Sequence, residues 1–419
     1  MVNKVKILVV PSDRGGGCSK FRSLDPHIHL QEMYPHIFEV DVVYLDEFPK
    51  DIPLDIFLKP YDIVHIHKQL DAECQLVNFI KFLDKKVVQD LDDYYFLGDF
   101  HPMSITAKKD HWEKPIIEHL KLADMVTTTT PIYRQVLLKH NKNVHVFPNA
   151  INPLEEQMKP INTKSNKLRF GIICGSTHYH DLAILKNITR QLPQNIINKI
   201  QFVLCGFDTN GTKTIINQAT GEVTKRNISP QESVWCDYEK MLTDDYKIIS
   251  KEHKQFLDLF IPGSEDPFKN EPYVRCWTKD IKSYMTHYDN IDVLLVPLKE
   301  CDFNKMKSQL KVIEAGFKHK AIIAQNFGPY TVDLKSIVGR GGDIDETGNA
   351  LVVDSNKNHK LWAKYIKMLV EKPELVTLLQ NNLYETVKDT YSLDTVCESR
   401  AKAYLELVGR SFKEFSTGN

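Results

Sequence analysis

The sequence predicts an α/β protein made of two doubly wound domains, and three observations carry that prediction. Short runs that are apolar throughout recur along the 419 residues, the pattern of strands buried on both faces of a parallel sheet. Segments with helical spacing lie between several of these runs, which places helices on both sides of such a sheet. The alternation stops once, at Phe147-Pro148-Asn149-Ala150-Ile151-Asn152-Pro153, and then restarts. A chain of this length exceeds one ordinary core, so the interruption reads as the passage between domains.

Strands are expected at residues 5–10, 40–45, 63–66, 87–91, 125–130 and 144–147, with helices at 71–83 and 131–139. These make an N-terminal domain at 1–160, and a polar segment to Lys167 links it onward. Strands at 168–174, 202–205, 293–296, 321–324 and 351–353 build a second domain at 167–391. Its excursion at 208–279 is rich in polar and charged residues, and a structureless insert of that length does not suit a compact domain. Residues 237–260 are therefore expected to be helical and to lie outside the core. Residues 392–419 form a closing helix that begins near Ser392, with Val396, Ala403, Leu405 and Leu407 among its apolar positions. Two Rossmann-like units place a ligand crevice between the carboxyl ends of their sheets.

Composition narrows the class. The net charge of −1 supplies no field that argues for nucleic acid as a general partner. The eight cysteines form no C-x-x-C pair, which suits a reduced cytoplasmic protein better than a disulfide scaffold or zinc site. The first apolar run, Val5 to Val10, is too short for a signal peptide, and no stretch approaches the roughly 20 apolar residues of a membrane span.

Five motifs bear polar chemistry at strand ends. After the first strand, Gly15-Gly16-Gly17-Cys18-Ser19-Lys20-Phe21-Arg22 gives backbone N–H groups close access to a ligand, with Ser19 able to cap the next helix; the alternative is a tight strand-to-helix turn. It is neither G-x-G-x-x-G nor a Walker A loop. Asp90, Asp92 and Asp93 end the fourth strand, where carboxylates bind metal, act as bases or cap the following segment. In the second half, Gly175-Ser176-Thr177-His178 offers N–H and O–H donors and a cation to a diphosphate, and Asp181 is expected to cap a helix to about Gln191. Arg275 beside Trp277 either contacts a base or phosphate or anchors the excursion. The run Asn304-Lys305-Met306-Lys307-Ser308-Gln309-Leu310-Lys311-Val312-Ile313-Glu314 lies between two buried strands. A helix opened by Ser308 there would turn its N-terminus, Lys307 and Lys311 toward phosphate, and Glu314 toward sugar hydroxyls; the alternative is a solvated helix with Lys–Glu pairing.

On these motifs the chain resembles the retaining GT-B glycosyltransferases of glycosyltransferase family 4, over essentially its whole length and most clearly from 168 to 353. Residues 147–152 are similar to the family's F/I-P-N-G-V-D linker, with Ala150 in place of glycine. Residues 307–314 stand where the family carries E-x7-E. The resemblance implies that Glu314 binds the nucleotide ribose. Met306 occupies the place of the first glutamate, which leaves the donor-sugar contact to Asn304, Lys307 or the backbone near Ser308. It also implies transfer of a sugar from a nucleoside-diphosphate sugar to an acceptor hydroxyl with retention, without metal or other cofactor, and a final helix that crosses back to the first domain. Residues 175–178, Arg275, Asn304, Ser308 and Glu314 would hold the donor; Lys307 and Lys311 would stabilise the leaving diphosphate. The acceptor, a glycan or lipid-linked hydroxyl of a polysaccharide pathway, would sit near Gly16, Gly17, Lys20 and Arg22, with Asp90, Asp92 and Asp93 beside it as catalytic carboxylates. A lipid-linked acceptor implies work at the inner face of the membrane. A nucleotide-sugar epimerase of the same fold, a non-catalytic sugar-binding module and transfer to modified DNA bases are the rival readings.

Overall fold

The computed structural model describes residues 3–68, 73–101, 103–161, 163–216, 223–259, 267–339, 341–354 and 359–416. The first domain holds β1 (Val5–Val10), β2 (Phe38–Val42), β3 (Ile63–His67), β4 (Lys86–Asp90), β5 (Met125–Thr128) and β6 (Val144–Val146). They form one parallel sheet in the order β2-β1-β3-β4-β5-β6. The second domain holds β7 (Leu168–Ile173), β8 (Ile200–Phe207), a hairpin of β9 (Thr212–Ile216) and β10 (Val223–Asn227), then β11 (Tyr273–Trp277), β12 (Val293–Val296), β13 (Ala321–Gln325) and β14 (Leu351–Val353). Its main sheet is parallel, in the order β11-β8-β7-β12-β13-β14. The fully apolar runs are buried, as parallel strands require: Ile7 to Val10 and Val293 to Leu295 all lie at the centre of their sheets.

Each sheet reverses strand order once, between β1 and β3 and between β7 and β12. The crevice at such a reversal is where ligands of these sheets bind. The loops leaving those four strands contain the glycine-rich turn, Lys68, the Gly175 loop and the run from Leu298 to Gln309.

Three expectations change. The excursion is part of the second domain: helix Val234–Thr243 buries Trp235, Tyr238, Met241 and Leu242 in its core, and β11 completes the sheet edge. The expected helix at 237–260 is two helices, the second at Lys251–Leu259, and Phe260 lies outside the described residues. After Asp181 the chain makes only one α-helical turn, Tyr179–Leu182, followed by 3-10 turns separated by Asn187 at φ 64°. The helix expected at 71–83 is described at Gln75–Phe82, and its first expected residues fall outside the described ones.

The closing helix, Leu393–Leu407, is capped by Ser392 through the Thr395 N–H. Its Val396, Cys397, Ala401 and Tyr404 pack with Val5, Ile7 and Val9 on one face of the first sheet. The domains also exchange side chains. Met306 of the second domain is buried with Leu91, Tyr95 and Tyr133 of the first. Phe21 of the first is buried with Met285, Tyr288 and Val312 of the second.

Candidate active site in the interdomain cleft

On the second-domain wall a cavity of about 680 Å³ opens at the carboxyl end of the sheet. Gly175 and Ser176 line it, with Lys279, Tyr284, His287 and Lys311 around them. Residues 175–177 are exposed. Tyr238 fixes their shape: its hydroxyl accepts from the His178 N–H at 3.0 Å and donates to the Ser176 carbonyl at 2.9 Å. Gly206, at φ 97°, lets the cavity floor approach closely, since a Cβ there would stand 3.0 Å from the Trp235 ring.

His178 is engaged within its own loop rather than standing free at the cavity. Its Nδ1 lies 2.7 Å from Asp181, and burial pushes the ring below its ordinary pKa despite that carboxylate. Asp181 in turn accepts from the Lys299 N–H at 2.7 Å and from Asn304 Nδ2 at 3.0 Å. His178, Asp181 and Asn304 therefore join the Gly175 loop to the loop after β12. Arg275 is buried against Glu239, at 2.6 and 2.9 Å, with its guanidinium over Phe207; it anchors β11 to the excursion and does not line the cavity.

The helix expected from Ser308 starts at Leu310, behind a separate turn at Asp302–Lys305. Lys311 reaches the cavity wall and Lys307 lies over the Phe303 ring. Glu314 is 1% exposed. Tyr284 and Tyr288 donate to its two oxygens at 2.7 and 2.6 Å, and Lys311 approaches at 3.1 Å. Its carboxylate orients a tyrosine and a lysine that line the cavity rather than lining it itself.

The first-domain wall is a set of closed ion pairs. Arg22 and Asp90 are fully buried and joined twice, at 2.6 and 2.9 Å, so neither meets an acceptor in the cleft as the sequence suggested. Arg22 also donates to Asn149 at 3.2 Å, and Asn149 to Ser308 at 3.2 Å, which carries this pair to the second domain. Asp92 meets Lys68 at 2.6 Å and His67 at 3.2 Å; Asp93 meets Lys68 at 2.7 Å. Cys18, Asp92 and Asp93 stand close enough to hold one metal ion, and the Lys68 ammonium already lies between the two carboxylates. Lys20 bonds Asp25 at 2.6 Å and Glu155 of the linker at 2.9 Å, so it ties the linker down. Gly16 donates to Asp13 at 2.7 Å, and a Cβ there would stand 2.0 Å from that carboxylate. Gly17 faces Ile281 of the second domain, and a Cβ there would meet its Cδ1 at an ordinary contact distance of 3.7 Å. Ser19 caps nothing ahead of it; it accepts from the Asp13 N–H at 3.0 Å.

Between the walls a throat of only about 40 Å³ is lined by Gly98, Phe100 and His101 from one side and Thr177, Asp181, Asn304 and Lys307 from the other. Phe100 rests on His180, with centroids 4.5 Å apart, and His101 on Phe303 at 5.3 Å. A single water needs about 10–15 Å³ of such volume, so the throat as it stands does not admit a sugar ring.

Sequence reasoning passed over Lys68, Tyr238 and Lys279. Lys68 was visible as the residue after His65-Ile66-His67, a strand whose polar positions approach the switch point.

Domain arrangement and cleft define the two-domain GT-B architecture that the sequence predicted. Solved structures of that kind match closely in extent. A glycosyltransferase from Rickettsia africae has a TM-score of 0.62 at 14% identity, covering 98% of this chain and 100% of its own. Anabaena Alr3699/HepE, in complex with UDP and glucose, gives 0.58 at 12% identity over 96% and 99%. The catalytic domain of Arabidopsis thaliana starch synthase IV, bound to ADP and acarbose, gives 0.57 at 12% over 97% and 99%. No protein-family model and no curated protein matches the chain. At such identities the likeness is one of fold. Among the described residues no helix is long and apolar enough to cross a membrane.

Proposed function

We propose that the chain is a glycosyltransferase that moves a sugar from a nucleoside-diphosphate sugar to an acceptor hydroxyl with retention at the anomeric carbon. The observation that carries this reading is the 680 Å³ cavity, where exposed donors at Gly175 and Ser176 face Lys279 and Lys311. As the glycosidic bond breaks, the departing diphosphate gains charge, and fixed N–H groups and ammoniums stabilise it more than the ground state. Those two lysines supply the positive charge that a metal would otherwise bring. The nearby carboxylates are already engaged: Asp90 by Arg22, Asp92 and Asp93 by Lys68. That supports a route in which the departing phosphate, not a protein base, takes the acceptor proton. His101 and Phe100 must swing away to admit the sugar and close again to exclude water. The scattered cysteines, with no C-x-x-C pair, support a reducing, cytoplasmic setting.

The test is turnover with a panel of UDP-, GDP- and ADP-sugars and mixed glycan acceptors, in the presence of EDTA. The expected result is nucleoside diphosphate release with an α-linked product from an α-linked donor. Conversion of donor alone to an epimer, or inversion, or loss of turnover in EDTA would each refute a part of this assignment.

A further inference from the structure

We propose that the acceptor is a neutral or amine-bearing glycan held in an aromatic groove that spans both domains. This rests on the glycosyl-transfer reading and specifies its acceptor. The groove encloses about 520 Å³ beside the throat, with Tyr94, Phe96 and Phe100 from the first domain and Phe303 from the second. Phe96 and Phe100 are 46% and 49% exposed. Phe96 packs edge-on against Tyr94, with centroids 5.6 Å apart, so the rings make one surface. Large apolar side chains left half in water along a concave wall mark a surface that a ligand covers.

Charge selects the ligand. Asp99, Glu113 and Asp302 line the same groove with Lys108; Lys108 closes on Asp99, which leaves Glu113 and Asp302 as the net −2. A pyranoside presents C–H bonds on its faces and O–H bonds on its rim. The C–H hydrogens meet the negative faces of aromatic rings, and the hydroxyls donate to carboxylates. An acyl chain would bury those carboxylates against hydrocarbon with nothing to bond them. A phosphate-bearing lipid headgroup or a nucleic acid strand would meet like charge.

Position points the same way. The groove shares Gly98, Phe100, Cys301 and Phe303 with the throat, and the throat ends at Thr177, next to the Gly175–Ser176 donors of the nucleotide cavity. A glycan lying in the groove therefore presents its end to the point of transfer. Lys20 and Arg22 do not line the groove, and their charges are closed on their own partners.

The experiment applies the full chain to an array of neutral, amino-sugar, carboxylated and sulfated oligosaccharides, and separately to phosphatidylglycerol vesicles. Thermal shift with UDP, GDP and ADP is recorded on the same preparation. The expected result is retention on neutral or amino-sugar glycans, weakened about tenfold by Phe96→Ser with the nucleotide shift unchanged. Glu113→Lys should move selection toward carboxylated or sulfated glycans, which keeps the proposal testable if Phe96→Ser fails to fold. Retention on acidic glycans alone, on vesicles alone or on nothing arrayed overturns the proposal. A persisting nucleotide shift in that case leaves the donor reading standing; loss of the nucleotide shift overturns the donor reading instead.

Discussion

The two walls of the cleft use charge in opposite ways. On the first-domain wall Arg22 with Asp90, and Lys68 with Asp92 and Asp93, are closed on one another in or near the core. On the second-domain wall Lys279 and Lys311 border an open cavity of about 680 Å³ beside exposed backbone donors, Lys311 reaching that wall while it also contacts the buried Glu314 carboxylate at 3.1 Å. Ionic groups that satisfy each other set shape and position; ionic groups at a cavity wall meet ligands. The contrast gives the first wall a structural role and, under the proposed function, leaves the second wall to meet the diphosphate.

The largest effect should come from opening the buried pair. Asp90→Asn removes half of a doubly bonded, fully buried ion pair and should cost about 3–5 kcal/mol in urea unfolding, because Arg22 is left buried without its counter-ion. Nucleotide affinity of the folded fraction should stay near that of the parent; a strong loss of affinity with normal stability would place Asp90 in the ligand site. Next is the clasp between domains. Met306→Ala empties a buried position among first-domain side chains and should cost about 2–4 kcal/mol, read as a lowered unfolding midpoint. An unchanged midpoint would mean that the domains are not held together there.

A pH experiment probes the same contrast with a smaller effect. Burial raises the Asp90 and Asp92 carboxyls, but Arg22 for one and Lys68 with His67 for the other more than offset it, so both are held below the usual range. A carboxylate with a depressed folded pKa adds stability above its unfolded value near 4, and that stability is lost as pH falls through the folded value. Lys68→Met should therefore raise the pH of acid unfolding. A midpoint at the parental pH would contradict the pairing.

Much of the fold was legible because parallel strands must be apolar on both faces, a pattern that needs no partner to be seen. Every expected strand is observed within a few residues of its expected bounds. β11 was missed because Arg275 interrupts its apolar run, and only burial against Glu239, 36 positions away, makes that arginine acceptable in a core. Helix continuity after Asp181 failed from Ala183, where the chain tightens to 3-10 turns and then passes through Asn187, whose left-handed backbone no periodicity reports. In the site, the exposed placement of Gly175-Ser176-Thr177 at a strand's carboxyl end was readable from local sequence. Roles set by distant partners were not. Glu314 depends on tyrosines 26 and 30 positions back, and Arg22 on an aspartate 68 positions on. Met306 read as a missing glutamate, whereas the structure places it as an apolar contact between the domains.

The central claim is that the second-domain cavity binds a nucleoside diphosphate through Lys311 and the Gly175 loop. Calorimetric titration of UDP, GDP and ADP against the parent and Lys311→Ala, with the matching nucleosides as controls, tests it directly. The account predicts that one diphosphate binds the parent and that Lys311→Ala weakens it about 10–100-fold while barely changing nucleoside binding. Equal losses for diphosphate and nucleoside, or no diphosphate bound at all, would contradict it.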